Sequence, residues 1–277
     1  MDRPIIGVLT DFGDEGFFVA SLKGVIAQIN PEARIIDITH RVPSFNVLSG
    51  SFILFAAYRY FPQKTIFLAV VDPGVGSSRK ILCVETATYF FIGPDNGVLS
   101  MALEEETVTQ IREVTENTYF LPHPTRTFEA RDKMTPVAAW LSKGVPCEKF
   151  GPKIVSYNKL DVRRPEGEGD NLLGTILHID KFGNLITNIP AEMLTQKREG
   201  SDGQLLRLRL ERGSGCESPE LRGLDIVFHK TYGEALEGEA LCLTGSLGLL
   251  EIAIREGSAS EWLKASVGDG IILTTKD

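Results

Sequence analysis

Four continuous apolar runs punctuate the first half of the chain: "IIGVLT" (5–10), "ARIIDIT" (33–39), "TIFLAVV" (65–71) and "KILCVET" (80–86). Each is strand-length, and none alternates as a strand with one wet face would, so each reads as a strand buried on both sides. Between them lie "FVASLKGVIAQI" (18–29) and "NVLSGSFILFAAYRYF" (46–61), whose apolar spacing is helical. "NP" stops the first helix. Ser44 or Asn46 caps the second, and Pro62 ends it. Shorter strands are expected in "YFFIGPDNGVL" and "VTQIREV". "MTPVAAWLSKG" (134–144) reads as a helix closed by Gly144. Strands alternating with helices predict an α/β sheet covered by helices.

The pattern changes near residue 150. Residues 153–171 ("KIVSYNKLDVRRPEGEGDN") carry charges and glycines without apolar periodicity and read as a linker. After it come short strand-like runs, "LLGTILHID", "QLLRLRL", "DIVFHK", "ALCLTG", "LLEIAIR" and "GIILTT", with "SASEWLKA" (258–265) the best helical stretch. The expectation is an α/β N-terminal domain (1–152), a linker (153–171) and a β-rich C-terminal domain (172–277).

A length of 277 residues suffices for two cores, and a net charge of −8 argues against a nucleic-acid partner. The cysteines, Cys83, Cys147, Cys216 and Cys242, are scattered without a C-x-x-C pair, which speaks against a zinc ribbon or redox dithiol. Three lie in or near apolar segments and read as core residues. Reduced thiols suit a cytoplasmic protein. "MDRP" runs straight into the first strand, so no signal segment is expected, and "FILFAAY" is too short to span a bilayer.

In open α/β sheets, ligands gather at the carboxyl ends of strands. Three such ends are polar here. "LTDFGDEG" puts Asp11 directly after the first strand. "VVDPGVGSSR" puts Asp72 after the third, followed by a Pro-Gly-x-Gly turn and Arg79. The third is "GPDNG" (93–97). An aspartate there also serves as a turn former, but two in one sheet face the same crevice. "GVGSS" lacks the Lys-Ser/Thr ending of a phosphate loop. His40, His123, His178 and His229 have no metal-ligand spacing, and no G-x-S-x-G elbow appears. No metal site is expected. "RTFEARD" sets Phe128 and Glu129 before an Arg131-Asp132 pair. "HIDKFGN" (178–184) places Asp180 before a tight turn, and "GSLGLLEIA" (245–253) is a turn followed by a strand.

Taken in order, "LTDFG", "DITH", "VVDPGVGSSR", "GPDNG", "TFEARD", "DKFGN" and "GSLGLLEIA" resemble the S-adenosyl-L-methionine (SAM) hydroxide adenosyltransferases, or SAM hydrolases, relatives of the fluorinases and chlorinases. The resemblance runs nearly end to end. It implies an α/β N-terminal domain and a smaller, mainly antiparallel β C-terminal domain. It also implies a homotrimer with SAM held between one subunit's N-domain and a neighbour's C-domain. SAM is then the substrate, with adenosine and methionine as products and no cofactor.

Matched position by position, Asp11 holds the ribose hydroxyls, and Phe45 and Phe128 belong to the SAM-binding wall. Asp180 and Ser246 hold the methionine ammonium and carboxylate, Asn184 contacts the nucleoside with Phe182 beside it, and the backbone of Arg255-Glu256 reads the adenine edge. Around the attacking water the family pattern has Asp, Arg and His. Asp72 and Arg79 match the first two, but Glu129 stands where the pattern has histidine, Ala130 replaces a glycine, and Gly16 replaces an aspartate of the first loop. A carboxylate at Asp72 disfavours halide attack.

Displacement at the ribose C5′ releases a neutral thioether, so the site has to position water and take up a proton. Near Asp72 and partly desolvated, Glu129 is expected to have a raised pKa and to act as proton acceptor. The opposing expectation is that it pairs with Arg131 or Arg79 and that hydrolysis is impaired. Two other functions fit the residues: a non-catalytic SAM or adenosine binder, and a metal-dependent nucleoside hydrolase using the acidic "TDFGDE" loop.

Overall fold

The computed structural model describes residues 3–197, 203–211 and 224–275, so Cys216 lies outside the described residues. The chain divides into two compact units between Leu160 and Asp161.

The N-terminal unit carries β1 (Ile5–Thr10), α1 (Phe18–Ile29), β2 (Arg34–Thr39), α2 (Val47–Tyr58), β3 (Ile66–Val70), β4 (Ile81–Thr86), β5 (Phe90–Pro94), α3 (Ser100–Glu104), β6 (Val108–Glu113), α4 (Thr135–Ser142) and β7 (Lys153–Ile154). Its sheet has the order β2-β1-β3-β5-β4-β6-β7. The first four strands in that order are parallel, and the pairings from β5–β4 onward are antiparallel. The apolar runs are continuous because both faces are covered. Ile66, Leu68 and Val70 of β3 join the core that includes Leu22 and Ile26 of α1 and Val137 of α4. Phe67 and Ala69, pointing the other way, join Leu54 and Tyr58 of α2. Asn46 caps α2, its side chain accepting the Ser49 N–H at 2.9 Å. Lys153 and Ile154, at the head of the predicted linker, pair with β6 as the sheet's last strand.

The C-terminal unit carries β8 (Glu166–Glu168), β9 (Asn171–Ile179), β10 (Leu185–Pro190), α5 (Glu192–Lys197), β11 (Leu205–Glu211), β12 (Leu224–Phe228), β13 (Ala240–Thr244), β14 (Leu249–Ile254), α6 (Ala259–Leu263) and β15 (Gly270–Thr275). Strand order is β10-β14-β13-β12-β11-β15-β9-β8, and the β9–β10 pairing closes a barrel. The pairings are antiparallel except β12–β13. In β11, "LLRLRLE", Leu206, Leu208 and Leu210 are buried while the residues between them are exposed, as the pleat of a barrel wall requires. The expected α/β domain followed by a mainly antiparallel β domain is the observed architecture.

Candidate active site

From β1 the chain crosses to β2 on one side and later returns to β3 on the other. The crevice at the carboxyl ends of β1 and β3 is therefore the switch point where α/β sheets bind ligands. Asp11 and Asp72 emerge there, from adjacent strands whose last residues, Thr10 and Val70, are in register. They line a cleft of about 330 Å³ together with Phe45, Phe128 and Glu129.

The Asp11 loop is braced from β2. The His40 carbonyl accepts the Gly13 N–H at 2.7 Å, and the His40 ring lies 2.9 Å from the Thr10 hydroxyl and 3.1 Å from Asp37. Asp11 Oδ2 accepts the Phe45 N–H at 2.9 Å. Phe45 adopts φ +65°, a strained conformation for a bulky residue, and its side chain remains 70% exposed at the cleft. Burial raises the pKa of Asp11. The hydrogen bonds from backbone N–H groups oppose this, and the nearby Asp72 charge adds to it.

Asp72 and Glu129 belong to an ionic cluster. Arg79 Nε donates to both Asp72 oxygens at 3.0 and 2.9 Å, and Arg79 Nη2 bridges Asp72 Oδ2 and Glu129 Oε2, the latter at 2.6 Å. The Arg79, Asp72 and Glu129 side chains are all less than a tenth exposed. Glu129 opens a single π turn, Ala130–Met134, that runs into α4; the Thr135 N–H closes it on the Ala130 carbonyl. Across this turn Lys133 Nζ donates to Glu129 Oε1 at 2.6 Å. Such turns occur at functional sites, where they re-aim side chains.

The expected rise in the Glu129 pKa is not what the structure gives. Burial does push it up, but the Lys133 hydrogen bond and the Arg79 and Lys133 charges outweigh burial and leave it lowered. Glu129 is thus ionised and a weak base. Its partners are Arg79 and Lys133, while Arg131 pairs with Asp132 at 2.6 Å and lies over the Phe128 ring at 4.9 Å. Burial lowers the pKa of Arg79, but hydrogen bonds and charge from Asp72 and Glu129 raise it more.

Sequence reasoning named Phe45 and Phe128 of the aromatic wall but missed two of its members. Phe12 and Phe18 line the cleft and pack on Phe128, with ring centroids 5.8 and 5.1 Å away. Both stand in "DFGDEGFF" beside Asp11, and that cluster of aromatics at a strand end was the available signal. The third polar strand end, "GPDNG", braces the scaffold: Asn96 donates to the Val71 carbonyl at 2.8 Å, and Asp95 accepts the Asn158 N–H at 2.7 Å.

The C-terminal unit has its own pocket, of about 640 Å³, lined by Asp180, Phe182, Asn184, Tyr232, Arg255 and Glu256 among others. Asp180 organises the β9–β10 turn. Its Oδ1 accepts the N–H groups of Phe182 and Asn184 at 2.8 and 2.9 Å, and its Oδ2 accepts the Asn184 amide at 3.0 Å. Gly183 in this turn has φ +86°, and a Cβ there would meet Ser258 Oγ at 2.1 Å, so only glycine fits.

The Arg255 backbone is already engaged, its N–H on the Glu239 carbonyl and its C=O on the Gly238 N–H. Glu256, at φ +56°, lies beyond β14 at the pocket. Ser246 is exposed in the β13–β14 turn and does not line this pocket. Tyr232 lines it unforeseen, and its hydroxyl donates to Glu251 at 2.8 Å. Burial raises the Glu251 pKa; the Tyr232 hydrogen bond lowers it, and the Asp180 charge adds to the rise. No group of three or more potential metal ligands gathers among the described residues, and no helix among them is long and apolar enough to cross a membrane.

Residues 6–151 match the SAM hydroxide adenosyltransferase N-terminal domain, and residues 174–272 match the C-terminal domain of the same family. The "(R)-S-adenosyl-L-methionine hydrolase" of Methanocaldococcus jannaschii is 32% identical over 274 residues, covering 96% of this chain and 94% of its own. A fluorinase from Actinopolyspora mzabensis is 26% identical, covering 91% of this chain and 90% of its own. The crystal structure of an uncharacterized conserved protein from Thermotoga maritima superposes with a TM-score of 0.88 at 39% identity, covering 97% of this chain and 99% of that one.

Proposed function

The chain belongs to the SAM hydroxide adenosyltransferase family, and we propose that it hydrolyses SAM to adenosine and L-methionine by attack of water at the ribose C5′. The observation that carries this reading is the Asp72–Arg79–Glu129 cluster, whose two carboxylates line the same cleft as Asp11, in a chain that matches SAM hydrolases over almost its whole length.

Each residue has a task its environment suits. Asp11 accepts hydrogen bonds from the ribose hydroxyls, which a carboxylate can do with two oxygens. Phe45, Phe128, Phe12 and Phe18 supply apolar faces that exclude water from around the reacting carbon. Asp72 orients the attacking water. As the O–C5′ bond forms and the C5′–S bond breaks, the electron pair leaves on neutral sulfur and the water oxygen becomes strongly acidic. A weak carboxylate base then suffices to accept the proton and pass it to solvent.

The C-terminal pocket supplies the other half of the recognition. Asp180 accepts from the methionine ammonium, while Ser246, outside this pocket, is given no part in it. Asn184 and Phe182 contact the nucleoside, and the backbone at Glu256, rather than the already engaged backbone of Arg255, reads the adenine edge. In this reading the protein is a homotrimer in which one subunit's cleft is completed by a neighbour's C-terminal unit. Asp72 in the cleft sets the nucleophile as water rather than halide.

The test is product analysis. Purified protein incubated with SAM should release adenosine and methionine in equal amounts, with a chelator making no difference. SAM bound but unconsumed would sink the hydrolase assignment in favour of a binding protein, and adenine released from adenosine would point to a nucleoside hydrolase. Light scattering that finds a monomer active at full rate would remove the trimer from the account.

A further inference from the structure

Glu129 is gripped from two sides. Lys133 Nζ holds Oε1 at 2.6 Å, and Arg79 Nη2 holds Oε2 at 2.6 Å. Asp72, Arg79, Glu129 and Lys133 therefore form one continuous run of ion pairs, two negative and two positive. The π turn brings Lys133 to Glu129. The Lys133 ammonium also lies 5.7 Å from the centroid of the Phe120 ring, and its side chain is only 23% exposed. It is fixed between a carboxylate and an aromatic face.

Charge balance explains why a lysine is needed. With a neutral histidine at position 129, Asp72 and Arg79 would form a balanced pair. Glutamate adds a buried negative charge, and an uncompensated one is strongly unfavourable. Lys133 cancels it. Held by a cation at each oxygen, the Glu129 carboxylate is fixed in place. It can hold the Arg79 guanidinium on Asp72, as a bridging anion opposite the Asp72 contact.

We propose that Lys133 is a positioning residue of the hydrolytic centre: with Glu129 it forms a neutral unit that replaces the single histidine of the family pattern and locks Arg79 onto Asp72. The inference rests on the hydrolase reading above. The charged groups facing Glu129 are Arg79, from the loop after β3, and Lys133, from its own turn; Asp72 stands behind Arg79 and Phe120 behind Lys133. The water proton goes to Asp72, whose carboxylate keeps acceptor capacity beyond its Arg79 contacts, and from there to solvent.

The experiment compares SAM turnover against pH in the wild type, Lys133→Met, Lys133→Arg, Glu129→Gln and the Glu129→Gln/Lys133→Met double variant. Circular dichroism checks that each is folded. Lys133→Met should lower kcat about tenfold, the scale of one lost charge-assisted hydrogen bond, and move the acid limb of the profile to higher pH. Lys133→Arg should restore most of the rate. The double variant should be no worse than the worse single one, because the two residues act as a unit.

Carboxyl-carbon NMR of Glu129 provides a readout independent of turnover. Its titration should lie lower in the wild type than in Lys133→Met. An active wild type with an unchanged rate and profile in Lys133→Met, additive losses in the double variant, or identical Glu129 titrations would each overturn the inference while leaving the hydrolase reading intact. A wild type that does not consume SAM would overturn the hydrolase reading instead, and with it any role for Lys133 in hydrolysis.

Discussion

Glu129 lines the cleft of the N-terminal unit, Glu251 is bonded to Tyr232 of the C-terminal pocket, and the two buried carboxyls are driven in opposite directions. Glu129 is 6% exposed and Glu251 9%, so burial pushes both up. Glu129 is pulled back below its ordinary value by Lys133 and Arg79. Glu251 stays raised by burial because its hydrogen-bond donor is the neutral Tyr232 hydroxyl and the charge acting on it is the like charge of Asp180. One region compensates its carboxylates internally; the other leaves anionic character facing a pocket. A compensated cluster is suited to holding a nucleophile still, and an anionic pocket is suited to a ligand that brings its own cation, as the methionine ammonium does.

The sharpest way to break this contrast is to remove the cation at the centre of the first region. Arg79→Met leaves Asp72 and Glu129 buried together, and should destabilise the fold by about 3–5 kcal/mol and abolish turnover. Urea denaturation and an activity assay read both, and an Arg79→Met protein as stable as the wild type would show that the cluster is not balanced as described. In the second region, Asp180→Asn should raise KM for SAM by roughly 10- to 100-fold while kcat changes little, the scale of a lost hydrogen bond between charged groups. A fall in kcat at unchanged KM would move Asp180 out of substrate recognition.

The glutamates themselves should respond to pH with opposite signs. A carboxyl whose folded pKa is lowered contributes stability above its unfolded value and loses it as pH falls through the folded value; one whose folded pKa is raised contributes least above that value. Relative to the wild type, Glu129→Gln should therefore lose stability at neutral pH, by about 1–2 kcal/mol, with the deficit shrinking in acid. Glu251→Gln should be near neutral or stabilising at pH 7, with the advantage shrinking in acid. Parallel pH profiles for the two variants would erase the distinction between the regions.

The smallest stability effect belongs to Phe45, whose ring is largely exposed. Phe45→Ala should change stability by less than about 0.5 kcal/mol yet weaken SAM binding severalfold, as calorimetry can measure.

Much of the fold and part of the site can be read from the sequence. The helix read at 18–29 is α1 residue for residue, because its apolar spacing is strong and "NP" fixes its end. The paired aspartates at the ends of β1 and β3 are legible because, although one alone also serves as a turn former, two at strand ends of one sheet face the same crevice. The role of Glu129 is not. Its partner Lys133 stands four residues on, but the turn joining them precedes the helical pattern read from 134, so the pair has no predicted helix to share. Tyr232 and Glu251 are hidden for a different reason. They are 19 residues apart and meet through barrel packing that no local pattern announces. Gly245 carries a trace of it: a Cβ there would fall 1.9 Å from Glu251 Oε1, so the glycine of "GSLG" makes room for that carboxylate.

The most direct test of the central claim is a single turnover of SAM in ¹⁸O-labelled water, followed by mass spectrometry of the products. Attack of water at C5′ predicts one ¹⁸O in the adenosine 5′-hydroxyl and none in methionine. Unlabelled adenosine, or label in any other product, would contradict it.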